Sequence, residues 1–135
     1  MFILRRGFTL TEVVTVVIIV GILVTLALPM FVKTMETARA QETVVALRQI
    51  RAAEKIYRTQ ENFCYPRNAT VANIGTINNF LRIFLDRRTN RNWDYVITAA
   101  GNSFTATATR TSGRNNGETI TIDQTGTIDK SGWSP

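Results

Sequence analysis

From Val13 to Val32 the chain runs for 20 residues without a charged side chain. As an α-helix that run is roughly 30 Å long, the thickness of a bilayer's hydrocarbon core. Glu12 bounds it on one side, Lys33 on the other, and Arg5 and Arg6 precede it. Basic residues ahead of a span keep that end in the cytoplasm, so the C-terminal part is expected across the membrane. A cleaved secretory signal has a shorter apolar stretch, about 7–15 residues. The Ala38-Arg39-Ala40 triplet that mimics its cleavage site lies beyond Lys33 and Glu36.

Average composition conceals this segment. Of 135 residues 44% are hydrophobic, but 22 of the first 32 are, against 38 of the remaining 103. A domain of roughly 100 residues buries only a modest core. The formal charge of +6 comes from 16 basic side chains, 13 of them arginine, and 10 acidic ones. That balance suits anionic lipid or nucleic acid only where the charges cluster. The chain has no histidine, which excludes histidine acid–base chemistry and histidine metal sites. Its single cysteine, Cys64, excludes an internal disulfide and a cysteine-cluster metal site, and is expected as a buried free thiol. No nucleophile–base pair can be assembled, so an enzyme is not expected.

The helical pattern continues past Val32. Phe31, Met35 and Ala38, then Ala46, Ile50, Ala53 and Tyr57, recur at spacings of three and four with a polar step at Glu42, and Val45 and Ile56 widen the stripe. Lys33, Glu36, Arg39, Arg48, Arg51, Glu54 and Arg58 fall mostly on other faces. The spacing predicts one helix from about Phe8 to Glu61, with the exit at Asn62 and Pro66. Pro29 is expected to bend or locally melt it, and Gly21 to weaken it nearby.

The span begins with Arg6-Gly7-Phe8-Thr9-Leu10-Thr11-Glu12. A carboxylate at the edge of a membrane span either reaches the headgroups or awaits a cationic partner. This string, with Gly21 and Pro29 in the apolar run, resembles the N-terminus of type IV prepilins and pseudopilins. The resemblance is close over residues 5–32 and looser beyond. Thr11, where an aliphatic residue is commoner, and Met30-Phe31 depart from the pattern. The resemblance implies that a prepilin peptidase cuts between Gly7 and Phe8, that Phe8 becomes N-methylated, and that Glu12 is the family's assembly glutamate. It implies a leader (1–7), a transmembrane and assembly helix (8–32) and an exported domain (33–135). The implied setting is a bacterial inner membrane, with the N-terminus cytoplasmic and the domain periplasmic or extracellular. Implied partners are membrane lipid before assembly, other pilins or pseudopilins, an assembly ATPase and an inner-membrane platform protein.

Beyond the long helix, residues 64–75 read as irregular. Ile77, Phe80, Leu81, Phe84 and Leu85 then predict a short amphipathic helix over 76–88, capped by Thr76, with its apolar face in the core. Trp93, Tyr95 and Ile97, then Phe104, Ala106 and Ala108, then Ile120 and Ile122, alternate with polar residues. Ala100-Gly101-Asn102 and Asn115-Asn116-Gly117 mark the turns between them. The expected fold is α+β and pilin-like: a long N-terminal helix on a small antiparallel sheet of three to four strands, with residues 127–128 as the short closing strand. Trp133 in the polar tail is expected to cover a core edge or a neighbour.

Other chemistry is weaker. Arg87, Arg88 and Arg91 near Trp93 form a small basic cluster, which phosphate binding would need larger. Asp123 and Asp129 are two carboxylates where Ca²⁺ wants about six to eight oxygens. No cofactor is expected beyond that calcium candidate. The sequence thus reads as a filament subunit, leaning toward a type II secretion pseudopilin because the disulfide loop of many type IV pilins is impossible here. The alternatives are a type IV pilus subunit for adhesion, motility or DNA uptake, and a membrane-anchored binding module.

Overall fold

A computed structural model describes residues 7–134. The expected leader lies outside these residues apart from Gly7. The chain divides into two compact units, Met1–Glu36 and Thr37–Pro135.

Helix α1, Leu10–Glu61, begins in the first unit. Its side chains from Val13 to Val32 are all exposed, with none of the chain's own core beneath them. The segment is long and apolar enough to cross a membrane. The hydroxyls of Thr15, Thr25 and Thr34 donate to the carbonyls of Thr11, Ile22 and Met30 at 2.8, 2.7 and 2.8 Å. Those threonines therefore leave no unsatisfied hydroxyl donor along the helix. The helix is continuous through Gly21 and Pro29. Proline removes one amide bond, to the Thr25 carbonyl, and the neighbouring turns keep theirs. Glu36, expected on an outer face, is buried.

In the second unit α1 buries Ala40, Thr43, Val44, Leu47, Ile50, Ala53 and Glu54. The buried stripe is therefore displaced from the expected one. Val45 and Ile56 are exposed, whereas Val44, Leu47 and the charged Glu54 face inward. The helix ends as expected: Asn62 takes a left-handed φ of 63°, and its amide donates to the Arg58 carbonyl at 2.9 Å.

The sheet has five strands rather than three or four. They are β1 (Thr70–Val71), β2 (Trp93–Ala100), β3 (Ser103–Arg110), β4 (Thr119–Asp123) and β5 (Ile128–Asp129). They pair in sequence order, all antiparallel. The added strand β1 lies in the stretch read as irregular, where two residues are too few to show alternation. Ile97 pairs with Ala106 and Ala106 with Ile122, while Tyr95 pairs with Ala108 and Ala108 with Ile120. The expected inward residues are thus in register on one buried face. With α1 packed on this sheet, the architecture is α+β.

Helix α2 is Ile74–Leu81, shorter and earlier than expected. Asn73, not Thr76, is its cap: the Asn73 side-chain oxygen accepts the Thr76 amide at 3.0 Å. At the other end the Asn78 side chain accepts the Leu85 amide and donates to the Leu85 carbonyl, at 2.9 and 3.0 Å. Arg82 turns left-handed at φ 53°. This early stop carries Phe84 out of the core, to 96% exposure, and Phe80 is also exposed. Ile77, Leu81 and Leu85 are buried as expected, and Ile74 joins them. Trp133 is partly buried against the core.

The inward alternation of β3 ends on a charge. Arg110 is buried, donates to the Asn92 carbonyl at 2.8 Å and lies 5.8 Å from the Trp93 ring centroid. Arginine tolerates such a place because its fork finds acceptors and its face stacks on an aromatic ring.

Candidate processing and assembly site

Gly7, Phe8 and Thr9 precede α1 and belong to no regular element. All three are exposed. The Gly7–Phe8 peptide bond therefore lies in accessible, non-helical backbone, the kind proteases reach most readily.

Thr9 and Glu12 form a reciprocal cap on α1. The Thr9 amide and hydroxyl donate to Glu12 Oε2 at 2.9 and 2.8 Å. The Glu12 amide contacts the Thr9 hydroxyl oxygen at 3.3 Å. A helix leaves its first amides unpaired, and this Thr-x-x-Glu arrangement satisfies two of them. Sequence reading marked Glu12 for its charge and overlooked Thr9. The signal was the spacing of three ahead of an apolar run.

Glu12 thus sits one turn into the helix, just ahead of the apolar segment. Its acidic position also complements the positive end of the helix dipole. An amine created at Phe8 would lie one residue from Thr9, within the same turn. The site can therefore hold a carboxylate beside a new ammonium at the edge of an apolar helix.

Gly21 and Pro29 lie on the same helix but not at this site. A Cβ built on Gly21 would meet nothing within 4 Å, so the chain's own packing does not require glycine there.

The calcium candidates are engaged locally. The Thr125 hydroxyl and the amides of Thr125, Gly126 and Thr127 donate to Asp123 Oδ1 at 2.6, 2.9, 2.9 and 3.0 Å. These bonds, the Thr125 hydroxyl first, hold the Asp123 carboxyl below the usual range. Asp129 Oδ1 accepts the Ser131 amide at 2.8 Å, which lowers that carboxyl too. Both act as turn acceptors, and among the described residues no three His, Cys, Asp or Glu side chains group to hold a metal ion.

The basic cluster is partly neutralised. Arg91 pairs with Asp94 and donates to the Arg88 carbonyl at 3.0 Å, and Arg88 lies 4.0 Å from Asp86. Cys64 is a buried free thiol, as expected.

Comparison with family profiles, characterised proteins and solved structures gives no match.

Proposed function

We propose that this chain is a structural subunit of a type IV pilus-like filament, in its finer form a type II secretion pseudopilin. The observation that carries the reading is the junction at residues 7–12. An exposed, non-helical Gly7–Phe8 bond stands directly before a capped helix whose apolar residues from Val13 to Val32 are all exposed among the described residues.

On this reading a prepilin peptidase releases residues 1–7 and Phe8 is N-methylated. The mature subunit waits in a bacterial inner membrane, with its α+β domain on the far side. An assembly ATPase and a platform protein then lift subunits into a helical filament with their apolar helices bundled inside. Gly21 and Pro29 would ease that extraction by weakening the helix.

The Phe8 ammonium and the Glu12 carboxylate supply a register. Placing both charges in an apolar setting is unfavourable unless they pair. Staggered neighbours can pair the ammonium of one subunit with the glutamate of the next. A pseudopilin is favoured over a type IV pilin by the lone, buried Cys64, which excludes a disulfide loop.

Intact-mass measurement of the protein extracted from membranes of a peptidase-bearing host tests this reading. The expected species begins at Phe8 and carries one extra methyl group. A leader still attached in such cells overturns the proposal. Glu12→Ala is expected to abolish filament formation while leaving cleavage intact. Normal filaments from that variant would remove the role given to Glu12.

A further inference from the structure

Glu54 is the one acidic side chain of Thr37–Pro135 buried in the core, at 1% exposure. Its Oε2 accepts the Tyr65 amide at 2.9 Å, across the bend that follows α1. Among the described residues its Oε1 has no hydrogen-bond partner. Next along that bend, the Cys64 amide donates to the Gly101 carbonyl at 3.0 Å. The segment is thus held from two sides, by α1 and by the β2–β3 turn. The Tyr65 ring stacks on Phe80, with centroids 4.8 Å apart, and meets Tyr57 edge-on at 5.6 Å. These rings join α1 to α2. Tyr57 and Phe80 also line an open groove of about 380 Å³ with Ala52, Ile56 and Arg82.

The neighbours of Glu54 leave it without a counter-charge. On α1, Lys55 and Arg58 border the same small void but are exposed, and Arg58 donates to the Asn102 carbonyl at 3.3 Å. Tyr57 and Glu61 lie further along that helix. The bend contributes Cys64 and Tyr65, and the sheet side contributes Phe104 and Gln124, neither of which titrates. Among the described residues, Glu54 has no ion pair.

We propose that Glu54 is a protonation latch. As the neutral acid it holds the Cys64–Tyr65 bend against α1. As a buried carboxylate with one oxygen unpartnered among the described residues it loosens the bend, and with it the ring contacts of Tyr65 to Tyr57 and Phe80, two residues that line the groove.

The direction follows from desolvation. Burial pushes the Glu54 carboxyl from 4.5 up to about 7, against the smaller opposing pull of the Tyr65 amide. Its contribution to stability is complete below about 4.5 and is lost as pH rises through about 7. The chain has no histidine, so no other side chain ordinarily titrates in that window. The same burial, with the Glu54 charge second, pushes the Cys64 thiol up and away from it.

The test uses the full chain in detergent micelles. Urea unfolding is followed by the fluorescence of Trp93 and Trp133 from pH 5 to pH 8.5. The folding constant is expected to fall on the order of a hundredfold across that range. In Glu54→Gln the profile should be nearly flat, and an undiminished fall in that variant overturns the latch. Cys64→Ser should keep the transition, and losing it would assign the titration to the thiol and overturn the proposal. If Glu54→Gln fails to fold, the Tyr65 amide resonance of the unmodified chain decides. A shift with its midpoint near pH 7 supports the latch, and an amide unmoved across this range sinks it.

Discussion

Ile19 and Ile97 are the same side chain in two settings. Ile97 is wholly buried in the sheet, while Ile19 lies 52% exposed on α1 with the rest of the apolar run. In Thr37–Pro135 most apolar residues find a place inside: Ile50, Ile77, Ile97 and Ile120 all lie in one core. Through Val13–Val32 none does. An apolar surface that extensive does not persist in water. The apolar run of the first unit is long and apolar enough to cross a membrane, and lipid or the helices of other copies are what the proposed function would set against it. The second has a core of its own, although Val45, Ile56, Phe80 and Phe84 stay outside it.

The strongest way to break this contrast is a pair of leucines. Leu47→Ala empties a fully buried position and is expected to lower stability by about 2–5 kcal/mol. Leu23→Ala removes the same atoms from an exposed position and should leave unfolding of the α+β unit unchanged. Urea unfolding in micelles, read by tryptophan fluorescence, measures both. Equal losses would mean that the apolar run packs on the chain's own core after all.

A charge sharpens the other side. Ile19→Lys puts an ammonium near the middle of the apolar run, which costs about 2.5–3.5 kcal/mol of membrane insertion at a helix centre. Alkaline extraction of membranes should release much more of this variant than of the parent. Its α+β unit should unfold as before. Unchanged retention would argue that the segment is not held by lipid.

How far each unit could be read from the sequence follows the same division. The span needed only its uncharged length, and the strands declared their inward faces through alternation, as in Trp93, Tyr95 and Ile97. Those signals are repeated over many residues, so one exception does not disturb them. What escaped depends on single side chains. Asn73 and Thr76 are both good caps, and only the bond from the Thr76 amide to Asn73 decides between them. The grip of Asn78 on Leu85 ends α2 early and turns Phe84 outward, which no periodicity foretells. Glu54 read as an outer-face charge because its partner, the Tyr65 amide, is set by a bend that carries no pattern. At the candidate site Glu12 was legible by its position, but its bond to Thr9 was passed over in favour of its charge. Gly7 and Phe8 are singled out by the resemblance alone, since an exposed peptide bond leaves no periodic trace.

Two glycines give the smallest and most discriminating test. Gly126 has φ 95°, and a Cβ there would lie 2.5 Å from the Arg51 guanidinium carbon. Arg51 holds its place by donating to the Thr125 carbonyl at 2.7 Å and, at 3.4 Å, to that of Gln124. Gly126→Ala therefore combines left-handed strain with a displaced arginine, for a loss of about 1–2 kcal/mol in urea unfolding. Gly21→Ala meets no such obstacle and should gain about 1 kcal/mol of local helix propensity. That gain falls in the first unit, so unfolding of the α+β unit should not register it. Crosslinking between neighbouring N-terminal helices should register it if copies pack there, because an added methyl at a close helix contact changes their approach. A variant silent in both measurements would leave Gly21 a neutral residue of a lipid-facing helix. A variant silent in unfolding but altered in crosslinking would tie it to contacts between chains. The two alanines ask the same question of each unit, and only the second needs another molecule to answer it.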